Sequence, residues 1–132
     1  MAELLAGNMK VHICYAVKAG RAVTAVAQPQ DAAMIPVLRD GSGTESAKTL
    51  KPGGALTVRA EGLEARFALP RLAGPILSRI DGRRTLADIH AELAASEGAR
   101  FTWMAFTEEF GRLYGVFNAV NKMFLSHDNN KR

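Results

Sequence analysis

The clearest pattern in the chain is an alternation of apolar and polar residues over positions 55–69. The stretches ALTVRA and LEARFAL both show it, one on each side of the dipeptide Glu61-Gly62. Because successive side chains of a strand point to opposite faces, a period of two around a Gly-containing turn predicts a β-hairpin. One face of this hairpin is expected on a core and the other in water.

A helical period replaces the alternation near Pro70. Apolar residues then recur three and four positions apart, at Leu69, Leu72, Ala73, Ile76, Leu77 and Ile80. This stripe predicts a first helix, with Pro75 tolerated because it falls within the first turn. Asp81-Gly82 is expected to end this helix.

Two more helices are predicted after that turn. Thr85 is a candidate N-cap with Asp88 as the acid of a capping box, and Gly98 is expected to end this second helix. Its buried stripe is predicted to be Leu86, Ile89 and Leu93. A third helix is expected from near Thr102 or Thr107 to about Lys122. Its predicted inner face is Phe110, Leu113, Tyr114, Phe117 and Asn121.

The N-terminal half is predicted to be mostly β and loop. Met9–Val17 and Arg21–Gln28 are rich in β-branched residues around the turn KAGR, which predicts another hairpin. Pro29–Gly54 is expected to be a loop containing one short edge strand, MIPVLRD. We therefore divide the chain into an extension (1–54), a helical domain with its hairpin and a last short strand at 123–127 (55–127), and a polar tail (128–132).

Charge and cysteine content restrict the possible partners and location. The net charge of +4 over 132 residues is spread evenly, which does not suggest a concentrated nucleic-acid surface. A single cysteine, Cys14, excludes an intramolecular disulfide and favours the cytoplasm. Since no apolar stretch approaches the roughly 20 residues that span a bilayer, we expect a soluble protein without a membrane partner.

No arrangement of residues predicts catalysis, a metal site or a cofactor. The histidines at 12, 90 and 127 lie far apart in the sequence, which does not favour a metal site. Cys14 falls within a predicted strand and is expected to be a small buried side chain. Glu108-Glu109 read as solvated acids in the first turn of a helix. No Gly-rich loop has the pattern of a phosphate site. We expect a protein that is not an enzyme.

DNA binding is disfavoured by the same residues. The third predicted helix carries Glu108, Glu109, Arg112 and Lys122, so its formal charge is zero and its first turns are acidic. Arg79, Arg83 and Arg84 surround the turn at Asp81 and read as a solvated corner. A DNA-binding regulator therefore remains the weakest of three alternatives.

The segment LEARFALPRLAGPILSRIDGRRTLADIHAEL resembles the PqqD-like winged-helix domains, which are peptide-recognition elements. The resemblance covers roughly residues 50–125 and is strongest over 63–93. It implies an α+β fold, a winged helix–turn–helix of three helices with N-terminal antiparallel β-hairpins. It also implies a chaperone that holds a precursor peptide and presents it to a separate modifying enzyme. A similar segment occurs as an accessory domain of S-adenosylmethionine-dependent methyltransferases, which is the second alternative.

The predicted binding surface lies between the second hairpin and the third helix. Because the hairpin leads directly into a helix, strand 63–69 is expected at a sheet edge, where an extended peptide can add as a further strand. The residues predicted to contact it are Leu63, Glu64, Arg66, Phe67, Arg112, Tyr114 and Phe117. The alternative is that the apolar members of this set are core residues, and we expect this for most of them, with one or two lining a groove. A second copy of the chain is a candidate partner for the 9–28 hairpin.

Overall fold

A computed structural model describes residues 19–20, 27–51, 53–60, 63–98 and 101–127. Over these residues the fold is α+β, with four helices and two separate two-stranded antiparallel sheets. In chain order the elements are β1 (Ile35–Leu38), α1 (Gly43–Thr49), β2 (Ala55–Ala60), β3 (Leu63–Ala68), α2 (Ala73–Leu77), α3 (Leu86–Glu97), α4 (Trp103–Ala119) and β4 (Met123–Ser126).

The second hairpin is confirmed, with β2 and β3 paired in the register that places Leu56 opposite Phe67. Its apolar face is less buried than predicted. Leu56 packs against the core, whereas Val58 and Phe67 are only half-buried and Ala65 is exposed. The far end of the hairpin therefore extends beyond the core, and its apolar side chains are partly accessible.

The helices bury the stripes that their periodicity predicts. All six apolar residues of the first stripe are buried around α2, with Pro75 as the third residue of that helix. Leu86, Ile89 and Leu93 of α3 are fully buried. The intervening turn is closed by Asp81, whose carboxylate accepts the backbone N–H groups of Arg83 and Arg84 at 2.9 Å.

Helix α4 begins at its N-cap Thr102, whose hydroxyl accepts the N–H of Ala105. Phe106, Phe110, Leu113 and Phe117 form its buried face. Two residues of the predicted inner face differ. Tyr114 is half-buried, and Asn121 lies beyond the helix because the chain turns there with a φ of 54°. The helix ends at Ala119 rather than Lys122.

The predicted loop 29–54 is wrong over residues 43–49. It contains β1, which the short edge segment anticipated, and α1, which no prediction included. Strand β1 pairs with β4 through Ile35 opposite Ser126, and Met34 is buried in the same core as the helices. Leu38, Ala47 and Leu50 also pack against this core. Of the predicted first hairpin, the structure describes the turn at Ala19-Gly20, and the strands 9–17 and 21–26 lie outside the described residues.

Helix α3 begins with a capping box that carries a pH dependence. The Thr85 hydroxyl accepts the Asp88 N–H at 3.2 Å, and the Asp88 carboxylate accepts the Thr85 N–H at 3.0 Å. The Thr85 hydroxyl also donates to that carboxylate at 2.7 Å. These bonds, the hydroxyl first and the backbone N–H second, lower the pKa of Asp88 below its ordinary value of 3.8.

A carboxylate with a lowered pKa stabilises the fold above its unfolded pKa, and this stabilisation is lost as the pH falls towards the folded pKa. We therefore expect the free energy of unfolding to decrease below about pH 4, and to decrease less in Asp88→Asn. Thr85→Val removes the hydroxyl but keeps the carboxylate. The slope of its free energy of unfolding against pH should lie between those of the wild type and Asp88→Asn. Urea unfolding at a series of pH values measures this, and equal slopes in the three proteins would contradict it.

Candidate functional site

The carboxyl end of β3 and the second half of α4 enclose an open cleft of about 450 Å³. Its lining consists of Ala68, Leu69, Pro70, Gly111, Arg112, Gly115 and Val116. We call this the β3–α4 cleft. It lies at the junction where the sequence predicts a binding surface.

One wall of the cleft is formed by Ala68, Leu69 and Pro70, where the outer edge of β3 ends. The Leu69 N–H donates to the Gly54 carbonyl, and bonded positions alternate along an antiparallel pair. The backbone groups of Ala65 and Phe67 therefore face β2, whereas those of Glu64, Arg66 and Ala68 point away from it. Within the described ranges, no strand pairs with this outer edge. It presents N–H and C=O groups with the spacing that an added strand requires.

The other wall is a face of α4 with little side-chain volume. Gly111 and Gly115 are one turn apart, and a Cβ built on either meets no atom within 4 Å. A peptide backbone can therefore approach the helix closely. Met104, a flexible apolar side chain that is 79% exposed, falls on the same face two turns before Gly111.

Glu109 fixes the corner between these two walls. Its carboxylate accepts the backbone N–H of Leu72 at 2.9 Å, which joins α4 to the start of α2. The prediction that Glu108 and Glu109 are solvated first-turn acids is therefore wrong for Glu109, which is half-buried in the second turn. Glu108 is exposed and pairs with Arg112 at 2.5 Å. No local pattern in the sequence indicates this contact, because Glu109 and Leu72 lie on distant segments of the chain.

The predicted contact residues of β3 lie along its length. Glu64 is exposed and pairs with Arg59, which is directly opposite on β2, at 2.7 Å. Arg66 is exposed on the same face as Glu64, and Phe67 is half-buried on the other face. The backbone of Leu63 pairs with Ala60, and its side chain lies outside what the structure describes.

The predicted contact residues of α4 separate into three environments. Arg112 lines the cleft. Tyr114 does not line it and stacks on Phe110 with ring centroids 6.0 Å apart. Phe117 is a core residue with 5% exposure and does not line the cleft. The cleft-facing residues that sequence reasoning missed are Gly111, Gly115 and Val116; the glycines four residues apart were the available signal.

The arginines around the turn at residue 81 are largely engaged within the protein. Arg79 and Arg84 lie 3.3 and 3.2 Å from the two carboxylate oxygens of Glu92. Arg79 is also held by the Pro75 carbonyl at 2.9 Å, although its buried Nε is not aligned for a hydrogen bond to Glu92. The hydrogen bond from the Arg84 backbone N–H and the positive charge of Arg84 both help to lower the pKa of Asp81. This corner is therefore an intramolecular network rather than a set of arginines held out for phosphates.

The described residues offer no metal centre: no three His, Cys, Asp or Glu side chains among them come together in a suitable cluster. His90 is part of an aromatic cluster, with its ring 5.3 Å from Trp103 and its Nε2 3.1 Å from the Phe101 carbonyl oxygen. His12 and Cys14 lie outside the described residues. In the part of the chain that the structure covers, no helix has the length and apolar character needed to cross a bilayer.

The chain matches no model of a protein family, and neither the curated proteins nor the solved structures give a significant match. The similarity to PqqD-like domains stays a prediction from the segment 63–93. The geometry of the β3–α4 cleft is therefore the main indication of function.

Proposed function

We propose that this protein is a non-catalytic adaptor that binds an extended peptide in the β3–α4 cleft and presents it to a separate modifying enzyme. The observation that carries the proposal is the outer edge of β3 beside a helix face made of Gly111 and Gly115. In this proposal the elements from β2 to β4 form a winged helix–turn–helix of the PqqD-like type. The resemblance over residues 63–93 supports that interpretation.

The peptide adds to β3 as an antiparallel or parallel third strand. Backbone groups of Glu64, Arg66 and Ala68 supply hydrogen bonds that do not depend on the peptide sequence. Selectivity comes from the side chains that surround it: Arg66 on the strand, and Arg112 and Val116 on the helix. Because Arg112 is 64% exposed and its one ion pair among the described residues is with the exposed Glu108, it can turn towards a ligand at small cost.

The test uses peptides selected from a random display library of about a dozen residues each, long enough to cover one strand and its flanks. We expect this selection to yield binding peptides. When such a peptide is added to the isotope-labelled protein, the changes in the protein's amide chemical shifts should concentrate at residues 64–70 and 108–116. Gly115→Leu fills the cleft and should weaken their binding more than tenfold. Its folded state should be as stable as the wild type or more stable by up to about 1 kcal/mol, because leucine is the better helix former and a Cβ at position 115 meets no atom within 4 Å.

The control is Ala95→Leu, which adds a similar side chain at an exposed position of α3 and should leave binding unchanged. No selected peptides, shifts confined to other surfaces, or full binding by Gly115→Leu would each overturn the proposal. A duplex DNA ligand whose affinity falls steeply with salt and whose shifts map to α4 would replace it with the regulator alternative.

A further inference from the structure

A second and larger cavity, of about 520 Å³, lies between α1 and the start of α2. We call it the α1–α2 cavity. Its apolar floor is made by Ala47, Leu50, Leu72, Ala73 and Pro75. Its volume is in the range that holds a side chain or small ligand.

The charged side chains that line this cavity are all basic. They are Lys48 in the last turn of α1, Lys51 just after it, and Arg71 at the corner before α2. Among the residues the structure covers, no acidic side chain lines the cavity, and Lys48 and Lys51 form no ion pair. This differs from the corner at residue 81, where Glu92 neutralises the arginines. An apolar floor under a basic rim, on which Lys48 and Lys51 have no acidic partner among the described residues, is complementary to a carboxylate on an apolar stem.

The two depressions are adjacent, because Pro70 lies in the wall of both. A strand added along β3 that continues past Ala68 passes Pro70 and reaches the basic rim. Pro70 is buried, and two positions further on the Leu72 N–H donates to the Glu109 carboxylate, so the passage between the depressions has a rigid side.

We propose that the α1–α2 cavity anchors an acidic side chain, Asp or Glu, of the peptide that occupies the β3–α4 cleft. This inference rests on the proposed function and adds the chemistry of the ligand. The peptide is expected to carry an extended apolar segment for the cleft and an acidic residue a few positions beyond it. Because exposed ion pairs contribute modestly, the anchor should account for about a three- to tenfold change in affinity.

The experiment repeats the library selection on three proteins. One is the wild type, one is Lys48→Gln/Lys51→Gln, and the charge-matched control is Arg39→Gln/Arg83→Gln, at two exposed arginines that do not line the cavity. Arg71 is kept because it has a contact of its own within the protein. All the replaced side chains are exposed, so the three proteins should fold alike, which thermal unfolding checks.

We expect acidic residues at a fixed distance from the apolar segment in peptides from the wild type and the control. This enrichment should be absent from peptides selected on the lysine variant. A wild-type-selected peptide with its acidic residue changed to the amide should bind wild type three- to tenfold more weakly, and the lysine variant no differently.

The outcomes separate the two proposals. The anchor is overturned if the selected peptides bind the cleft without enrichment in acidic residues. It is also overturned if that enrichment is lost in the arginine control as much as in the lysine variant. Both outcomes leave the peptide adaptor intact. Failure to select any peptide overturns both. Acidic enrichment with shifts at 47–51 and 70–75 but none at 64–68 overturns the adaptor model and shows that the cavity binds acids independently.

Discussion

Gly43→Ala is expected to destabilise the protein by about 3 kcal/mol, the upper end of the usual cost of overpacking. A Cβ at this position would lie 2.0 Å from the Leu77 carbonyl oxygen and 2.6 Å from that of Ile80. Both are backbone atoms, one at the end of α2 and one in the turn that follows it, and they cannot rotate away. The substitution must therefore separate α1 from α2.

The sign of this effect is informative, because glycine to alanine in a helix ordinarily stabilises by up to about 1 kcal/mol. Gly111→Ala provides the comparison, since it lies within α4 and its Cβ meets nothing within 4 Å. We expect Gly111→Ala to be neutral or stabilising. Urea unfolding followed by the fluorescence of Trp103, the one tryptophan of the chain, measures both. Equal stability of the two variants would contradict the close contact.

Phe106→Ala is expected to cost about 3–5 kcal/mol, a typical loss for a buried aromatic ring. Phe106 is fully buried, and its ring centroid is 5.3 Å from Trp103, 5.5 Å from His90 and 5.9 Å from Phe110. Its removal leaves a cavity where α3 and α4 meet. Because small domains are stable by only about 5–15 kcal/mol, this variant should be unfolded at moderate urea concentrations.

Met104→Ala is the matched control, two residues away on the same helix but 79% exposed. Its free energy of unfolding should change by less than about 0.5 kcal/mol. Circular dichroism is the suitable probe here, because Trp103 contacts Phe106 and its emission will change in any case. A similar loss in both variants would mean that Phe106 does not support the core.

Local patterns were sufficient for the hairpin, the helices and their buried stripes. The alternation around Glu61-Gly62, the stripe from Leu69 to Ile80 and the Thr85 cap each depend on residues a few positions apart. The capping pair Ser42 and Glu45 was a comparable local signal for α1. It was missed because this polar helix has no apolar stripe and is held instead by the contact of Gly43 with α2.

The candidate site was predicted less completely than the fold. The sequence indicated the two elements that form the cleft, β3 and α4, and Arg112 as a lining residue. It did not separate Phe117, which faces the core, from Val116, which lines the cleft, because the apolar stripe of a helix does not show which residues beside it border a cleft. Glu109 and the α1–α2 cavity depend on contacts between distant segments, which periodicity does not report.

The pairing of β1 with β4 has a consequence for how the chain folds. Ile35 meets Ser126, so almost the whole described chain lies in the loop that this sheet closes. Closing such a loop has an entropic cost, and contacts between distant positions slow folding. The β2–β3 hairpin and the α2–α3 turn join nearby residues and can form early. On the ribosome, β1 must wait for its partner until residue 126 has been synthesised, with Met34 and Ile35 meanwhile exposed to water or a chaperone.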